Sequence, residues 1–259
     1  MKIATYNVWY ENIHVREDQL LAEIDMLDAD VIALQEVPSA FYKKLTSITK
    51  YNYHTYISYD EESGLATLSR YPFVSQLSLF GSAEHSNSIA HNIVFEARGM
   101  RFSLTNVHLP WDSVLEKEKQ IVAIDKFAHS QKEDAHFFLL LGDFNCTMSS
   151  SVHRFLLGDQ TLRGCESKPY WNDLAYVHAA LHGYDVSPTL DFISNPRWGG
   201  KNTNYVPDTC DRIYIMESFN WNFEFTLRNV EIFGKEVSSK TGFAPSDHYG
   251  VVASVDFAI

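Results

Sequence analysis

The chain alternates between the two hydrophobic periods that distinguish helices from strands. Val15–Leu27 places Leu20, Leu21, Ile24 and Leu27 on one helical face, and Ser39–Ile48, opened by Pro38, does the same with Phe41, Leu45 and Ile48. Lys2–Trp9 and Val31–Leu34 are short apolar runs bounded by polar residues, so the chain starts in the order strand, helix, strand. Tyr53–Ile57, Leu65–Ser69, Phe73–Leu79 and Ser88–Phe95 are β-prone pieces separated by Gly, Pro and Asn, a pattern that predicts antiparallel strands. Met100–His108 predicts another strand, stopped by Pro110. A capping box at Ser113–Glu116 opens a helix whose stripe continues through Ile121, Ile124, Phe127 and Ala128. Ser149–Leu157 and Trp171–Leu181 predict short helices and Asp185–Asp208 an irregular segment. Asp211–Met216, Glu224–Ile232 and Tyr249–Phe257 predict strands.

The stretch Phe137–Asn145, FFLLLGDFN, is the pivot of this pattern. Its run of consecutive apolar residues predicts a strand buried on both faces, ending in a Gly142 turn that carries Asp143 and Asn145. Polar groups at the lip of a packed core sit on rigid backbone, where their protonation can be tuned. Taken alone, Gly-Asp-Phe-Asn reads first as turn punctuation, since Asp and Asn bond their own backbone in turns.

Composition narrows the function classes. The 259 residues, 45% hydrophobic, bury a sizeable core, and without repeat, linker or low-complexity tract they predict a single α/β domain over residues 1–259 with much antiparallel sheet. No apolar run approaches the ~20 residues that span a bilayer, and the start MKIATYNVW lacks a long apolar leader, so no membrane contact and a cytoplasmic location are expected. Cys146, Cys165 and Cys210 are odd in number and widely spaced, against a disulfide framework or a thiolate zinc site. The net charge of -12 argues against a long duplex gripped by its phosphates. It favours a small phosphorylated substrate or a nucleic-acid end, and an acidic cleft would attract a divalent cation.

The strand ends collect Asn7, Glu36, His108, Asp143, Asn145, Asp211, Asp247 and His248. Taken singly, Asn7 reads as a turn residue, His108 as a core histidine and Asp211 as a partner for Arg212. Glu36 would be partly buried behind Val31–Leu34 and needs a cation or donors. In the irregular segment, Arg197 suits a second phosphate and Trp198 a base or sugar, the other reading being a loop whose Trp caps the core. His178 and His182 have the spacing of a helical zinc pair, yet no Glu follows His178 and no third ligand is evident.

In order along the chain, TYNVW, LQEV, GLATLSR, NVHLPW, LGDFN, CDRIYI and SDHYG resemble the motifs of the endonuclease/exonuclease/phosphatase superfamily of metal-dependent phosphoesterases. The resemblance implies a four-layer α/β sandwich, two mixed and mostly antiparallel sheets packed face to face with helices outside. It implies Glu36 as principal metal ligand, assisted by Asn7 and Asp247, with Mg²⁺ the ion and Mn²⁺ a possible substitute. Asp143 would orient or deprotonate the attacking water, and Asn145 would hold that water or a phosphoryl oxygen. His248, oriented by Asp211, would bind the phosphate, and His108 would contact a phosphoryl oxygen or assist the leaving group.

His108 makes the chain similar to the branch of DNase I-like nucleases, neutral sphingomyelinases, sugar and inositol phosphatases and 5′-tyrosyl-DNA phosphodiesterases. Abasic-site endonucleases usually have Tyr in that place. CDRIYI and SDHYG look most like the tyrosyl-DNA enzymes, but those carry an Arg two residues beyond the GD-x-N asparagine, where this chain has Thr147. The expected activity is Mg²⁺-dependent hydrolysis of a small phosphate ester. The rivals are a DNA end-processing nuclease or phosphodiesterase and, from another class, a non-catalytic binding scaffold.

Overall fold

Residue parity along the first two strands sorts side chains into two cores. β1 (Lys2–Asn7) and β2 (Val31–Gln35), joined through α1 (Glu17–Leu27), run parallel with Ile3 beside Val31 and Asn7 beside Gln35. Successive side chains point to opposite faces. Ile3, Val31 and Ala33 enter a core between two sheets, while Ala4, Tyr6, Ile32 and Leu34 pack against Leu20, Ile24 and Leu27 of α1 and Phe41 and Leu45 of α2 (Ser39–Ile48). The structure is a computed structural model that describes residues 1–48, 50–59, 62–80, 89–199, 205–217 and 223–258.

β3 (Tyr53–Ser58), β4 (Gly64–Ser69), β11 (Glu224–Phe233) and β12 (Gly250–Ala258) complete a first sheet in the order β11-β12-β1-β2-β4-β3. The second sheet contains β5 (Phe73–Phe80), β6 (Ile89–Ala97), β7 (Met100–His108), β8 (Phe137–Asp143), β9 (Trp171–Asp173) and β10 (Asp211–Met216), in the order β5-β6-β7-β8-β10-β9. β1–β2 and β7–β8 pair parallel and the other described ladders antiparallel, so both sheets are mixed.

β8 is buried throughout, as its apolar run predicts. Phe137, Leu139 and Leu141 face the first sheet, and Phe138 and Leu140 face α3 (Val114–Ser130) and α4 (Ser151–Leu156). With α1 and α2 outside the first sheet and α3 and α4 outside the second, the expected four layers are present. α5 (Leu174–His182) departs from the layering: it touches β10 of one sheet and β11 of the other, closing an edge. No described helix is long and apolar enough to cross a membrane.

Three sequence expectations change. Gly142 and Asp143 are the last residues of β8 rather than a turn. Trp171–Asp173 is an edge strand paired with β10, and the helix begins at Leu174, where Asp173 caps it by accepting the N–H groups of Ala175 and Tyr176. The first strand ends at Asn7, short of Trp9, whose φ of 53° breaks the extended backbone. The irregular segment contains a 3₁₀ turn at Pro196–Trp198. Ser88, and Gly200 with the four residues after it, lie outside the described residues.

Candidate active site

Strand register delivers the polar ends to one place. His108 on β7 and Asp211 on β10 both pair with Asp143 on β8, so the second sheet presents the three side by side. Opposite them, β1 ends at Asn7, and Glu36 follows β2 with a φ of 56°, in the left-handed region that turns the chain away. Gly142 permits this row, because a Cβ there would meet the Val107 carbonyl oxygen at 1.9 Å. Its φ of 144° adds a second demand for glycine.

Asn7 joins the two sheets. Its Nδ2 donates to Glu36 Oε1 at 3.0 Å and to Asp143 Oδ2 at 2.9 Å, while its Oδ1 accepts the Trp9 N–H at 2.9 Å. The reversed amide would set an oxygen against two carboxylates, so chemistry fixes the orientation. His108 Nε2 lies 3.7 Å from Glu36 Oε1 and 3.7 Å from Asp143 Oδ2. Asp143 Oδ1 accepts the Asn145 N–H at 2.8 Å, and Asn145 Nδ2 donates to Leu109 O at 3.0 Å. Asn145 sits at φ 47°, with the Lys117 ammonium donating to its carbonyl.

His248 arrives on the loop before β12. Its Nδ1 lies 2.8 Å from Asp211 Oδ2 and its Nε2 3.9 Å from Asp143 Oδ2. Asp143, Asp211 and His248 form a buried acidic and imidazole cluster whose ligand atoms lie within 4.8 Å of one another. Burial would lower the His248 imidazole, but the Asp211 and Asp143 carboxylates raise it well above its ordinary value. Burial would likewise raise Asp143, yet His248, His108 and the Asn7 and Asn145 hydrogen bonds hold it below the usual carboxylate range. Burial raises Asp211 despite the pull of His248. Burial, partly offset by His248, pushes Asp247 up to about 6, with the Glu36 charge adding to the rise.

Arg197 and Trp198 serve this loop from behind. Arg197 Nε donates to Ala244 O at 2.9 Å, its guanidinium lies over the Trp9 and Phe243 rings, and its Nη2 is buried without a partner among the described residues. Trp198 Nε1 reaches Asp247 O at 3.3 Å, and its ring packs on Phe192. Both are half-buried, and these bonds direct Arg197 at Ala244 and Trp198 at Asp247.

Several contributors escaped the sequence reading. Ser246 donates to Asn7 O at 2.7 Å and accepts the His248 N–H at 3.2 Å. Thr189 Oγ1 accepts the Asp211 N–H at 3.0 Å, and Asn195 Nδ2 donates to Ser246 O and Asp247 O. The Tyr59 hydroxyl accepts the Glu36 N–H at 3.0 Å and lies 3.3 Å from His108 Nδ1. Ser246 was visible inside SDHYG; the others lie outside every motif.

The helical histidine pair belongs elsewhere. His182 Nδ1 sits 2.8 Å from its own helix's His178 O, His178 Nδ1 meets the Tyr184 hydroxyl, and no third ligand joins them among the described residues. Cys146 is buried, and burial raises its thiol, so it is not an activated nucleophile.

Comparison with known proteins gives the family and the fold. The description Endonuclease/Exonuclease/phosphatase family matches residues 4–248. No curated protein matches the chain. Among solved structures, the chain is similar to Danio rerio TDP2 complexed with single-strand DNA product (TM-score 0.78, 18% identity, 99% of this chain and 98% of that chain). It is also similar to a Bacteroides thetaiotaomicron mannosyl-6-phosphatase (TM-score 0.74, 16% identity, 99% of each chain). A functionally unknown conserved protein from Enterococcus faecalis aligns at TM-score 0.73 and 20% identity, over 99% of each chain. At these identities the likeness to solved structures is one of fold, and the family match over nearly the whole sequence makes this chain a member of the endonuclease/exonuclease/phosphatase family.

Proposed function

We propose that the protein is a divalent-metal-dependent hydrolase of phosphate esters acting on a small phosphorylated molecule, with Mg²⁺ the working ion and Mn²⁺ able to substitute. The observation that carries this reading is the meeting of Asn7 and Glu36 from one sheet with His108, Asp143 and Asp211 from the other, and with His248. Among the described residues, the ion pairs of Glu36, Asp143 and Asp211 run only to histidines, and Asp247 is raised partly by the Glu36 charge. Carboxylates so poorly balanced fit a hard cation with oxygen ligands. Glu36, Asp247 and the second lone pair of Asn7 Oδ1 would hold it. When bound, it supplies positive charge against the oxyanions that develop in phosphoryl transfer.

The remaining roles belong to the chain's own groups. Asp143, held ionised, aligns the attacking water and accepts its proton, and Asn145 orients the same water. His248, kept cationic by Asp211, donates Nε2–H to a phosphoryl oxygen. His108 contacts another phosphoryl oxygen or the leaving group. These fixed donors need little reorganisation as charge builds. Arg197 and Trp198 contribute by holding the Ala244–Asp247 segment in place.

The small substrate is favoured by how nearby cations are used. Arg16 donates to the carbonyls of Val8, Trp9, Glu11 and Pro245, Lys117 to that of Asn145, Arg197 to that of Ala244, and Arg212 to Asp173. None of these bonds grips a strand of phosphates. The second reading, a DNA end as substrate, draws on the fold shared with TDP2.

The test is turnover of sugar phosphates, nucleotides, inositol phosphates and end-labelled DNA with Mg²⁺, repeated in Asp143→Ala and His248→Ala. Undiminished metal-dependent turnover in both variants sinks the assignment. A DNA end preferred over the small esters, with affinity falling steeply as salt rises, selects the second reading.

A further inference from the structure

We infer that Gln35 and Asn106 are positioning residues, a buried carboxamide rivet between the two sheets that sets Glu36 against His108 and Asp143; the inference rests on the hydrolase reading above. Gln35 Nε2 donates to Asn106 Oδ1 at 2.7 Å across the gap between the sheets, and both residues are fully buried. Asn106 Nδ2 then reaches Leu34 O at 3.2 Å and Ala66 O at 3.1 Å, second lone pairs on the paired strands β2 and β4. Gln35 is bonded in turn to Thr5 Oγ1, at 3.1 Å from Nε2.

The placement follows from the period of a strand. Side chains two apart share a face, so Asn106 lies one step inside His108 on β7, and Thr5 one step inside Asn7 on β1. Gln35 immediately precedes Glu36. The outer residues of these sets do the proposed chemistry, and the inner ones bond each other. Apolar contact between sheets is non-directional and tolerates sliding, whereas a hydrogen bond between two anchored carboxamides fixes register as well as spacing. The cleft needs that fixity, because its metal side hangs from one sheet and its water-activating carboxylate from the other.

Removing one partner leaves the other buried and unsatisfied, whereas replacing both by apolar groups of similar shape avoids that penalty. Gln35→Met, Asn106→Leu and the double variant therefore separate a structural role from a positioning one. The measurements are Tm and Mg²⁺-dependent kcat/KM on bis(para-nitrophenyl) phosphate. We expect each single variant to lose both stability and kcat/KM, and the double variant to regain most of the lost Tm while its kcat/KM stays roughly 10- to 100-fold down. A double variant that regains both overturns the positioning role and leaves the hydrolase standing. A native protein that hydrolyses neither this diester nor any phosphate ester in the panel above overturns the hydrolase reading, and this role with it.

Discussion

Asp211 Oδ2 accepts from His248 Nδ1 at 2.8 Å, and the bond joins two residues that are both buried, 37 positions apart in sequence. The pairing leaves His248 Nε2 pointing toward Asp143, 3.9 Å away. Asp211 thus orients the ring and favours its cationic form. Asp211→Asn keeps the shape and removes the charge. We expect kcat to fall by about 10²- to 10⁴-fold with KM changed far less, a loss of transition-state rather than ground-state binding. Steady-state kinetics on a small phosphodiester decide it; a kcat within twofold of the native value refutes the pairing's role.

Asp143→Asn tests the proposed role of Asp143 toward the attacking water. The substitution preserves the size of the side chain and an acceptor for the Asn145 N–H, so the far-UV circular dichroism should match the native protein. Activity should drop by about 10³-fold or more, since a carboxamide cannot take a proton from water. Retained turnover would move the general base elsewhere.

Metal dependence should be carried by Glu36. A chelator should abolish turnover and added Mg²⁺ restore it, and Glu36→Gln should weaken divalent-ion binding measured by calorimetry at least tenfold. Unaltered affinity in that variant would place the ion on the Asp143, Asp211 and His248 cluster instead.

Asp173 tests the edge of the second sheet. It is fully buried, caps α5 and receives Arg212 Nη1 at 2.8 Å. Removing one partner of a buried pair costs about 3–5 kcal/mol. Asp173→Ala should therefore lose about that much in urea denaturation, by shortening α5 and stranding the Arg212 charge.

Acid should weaken the fold through two buried histidines outside the proposed catalytic set. Burial lowers His91 to about 4, and burial together with Arg212 lowers His153 to about 4, against an ordinary value of 6.5. Between those values the unfolded chain binds more protons at these two positions, so their contribution to stability is complete above pH 6.5 and drains as pH falls toward 4, partly offset by Asp247, whose raised carboxyl takes its proton earlier in the folded state. Each histidine costs about 1.4 kcal/mol per pH unit in that window. Denaturation midpoints at pH 7 and pH 5 measure the slope, and His91→Gln should flatten it.

Much of the candidate site was legible because most of its polar residues flank a strong apolar run. FFLLLGD, VIALQ and RIYIM announce buried strands, and a carboxylate or carboxamide at such an end has few places to go. Gly142 read as a turn residue, and its purpose was not legible, since the close approach of Val107 exists only once β7 lies beside β8. Arg197 and Trp198 were legible as chemistry-bearing residues, yet only packing shows that they hold Ala244 and Asp247 from behind.

The sequence by itself determined most of the strand and helix order, the faces that are buried and most of the polar residues that flank the strands, because these follow from local period and composition. The tertiary structure alone decided which polar ends meet. Asn7 bridges Glu36 to Asp143, Gln35 reaches Asn106 across the sheets, and Tyr59, Thr189 and Asn195 arrive from loops without a motif. Those contacts depend on sheet order, register and the spacing between sheets, and long-range pairing of that kind leaves no periodic trace in the chain.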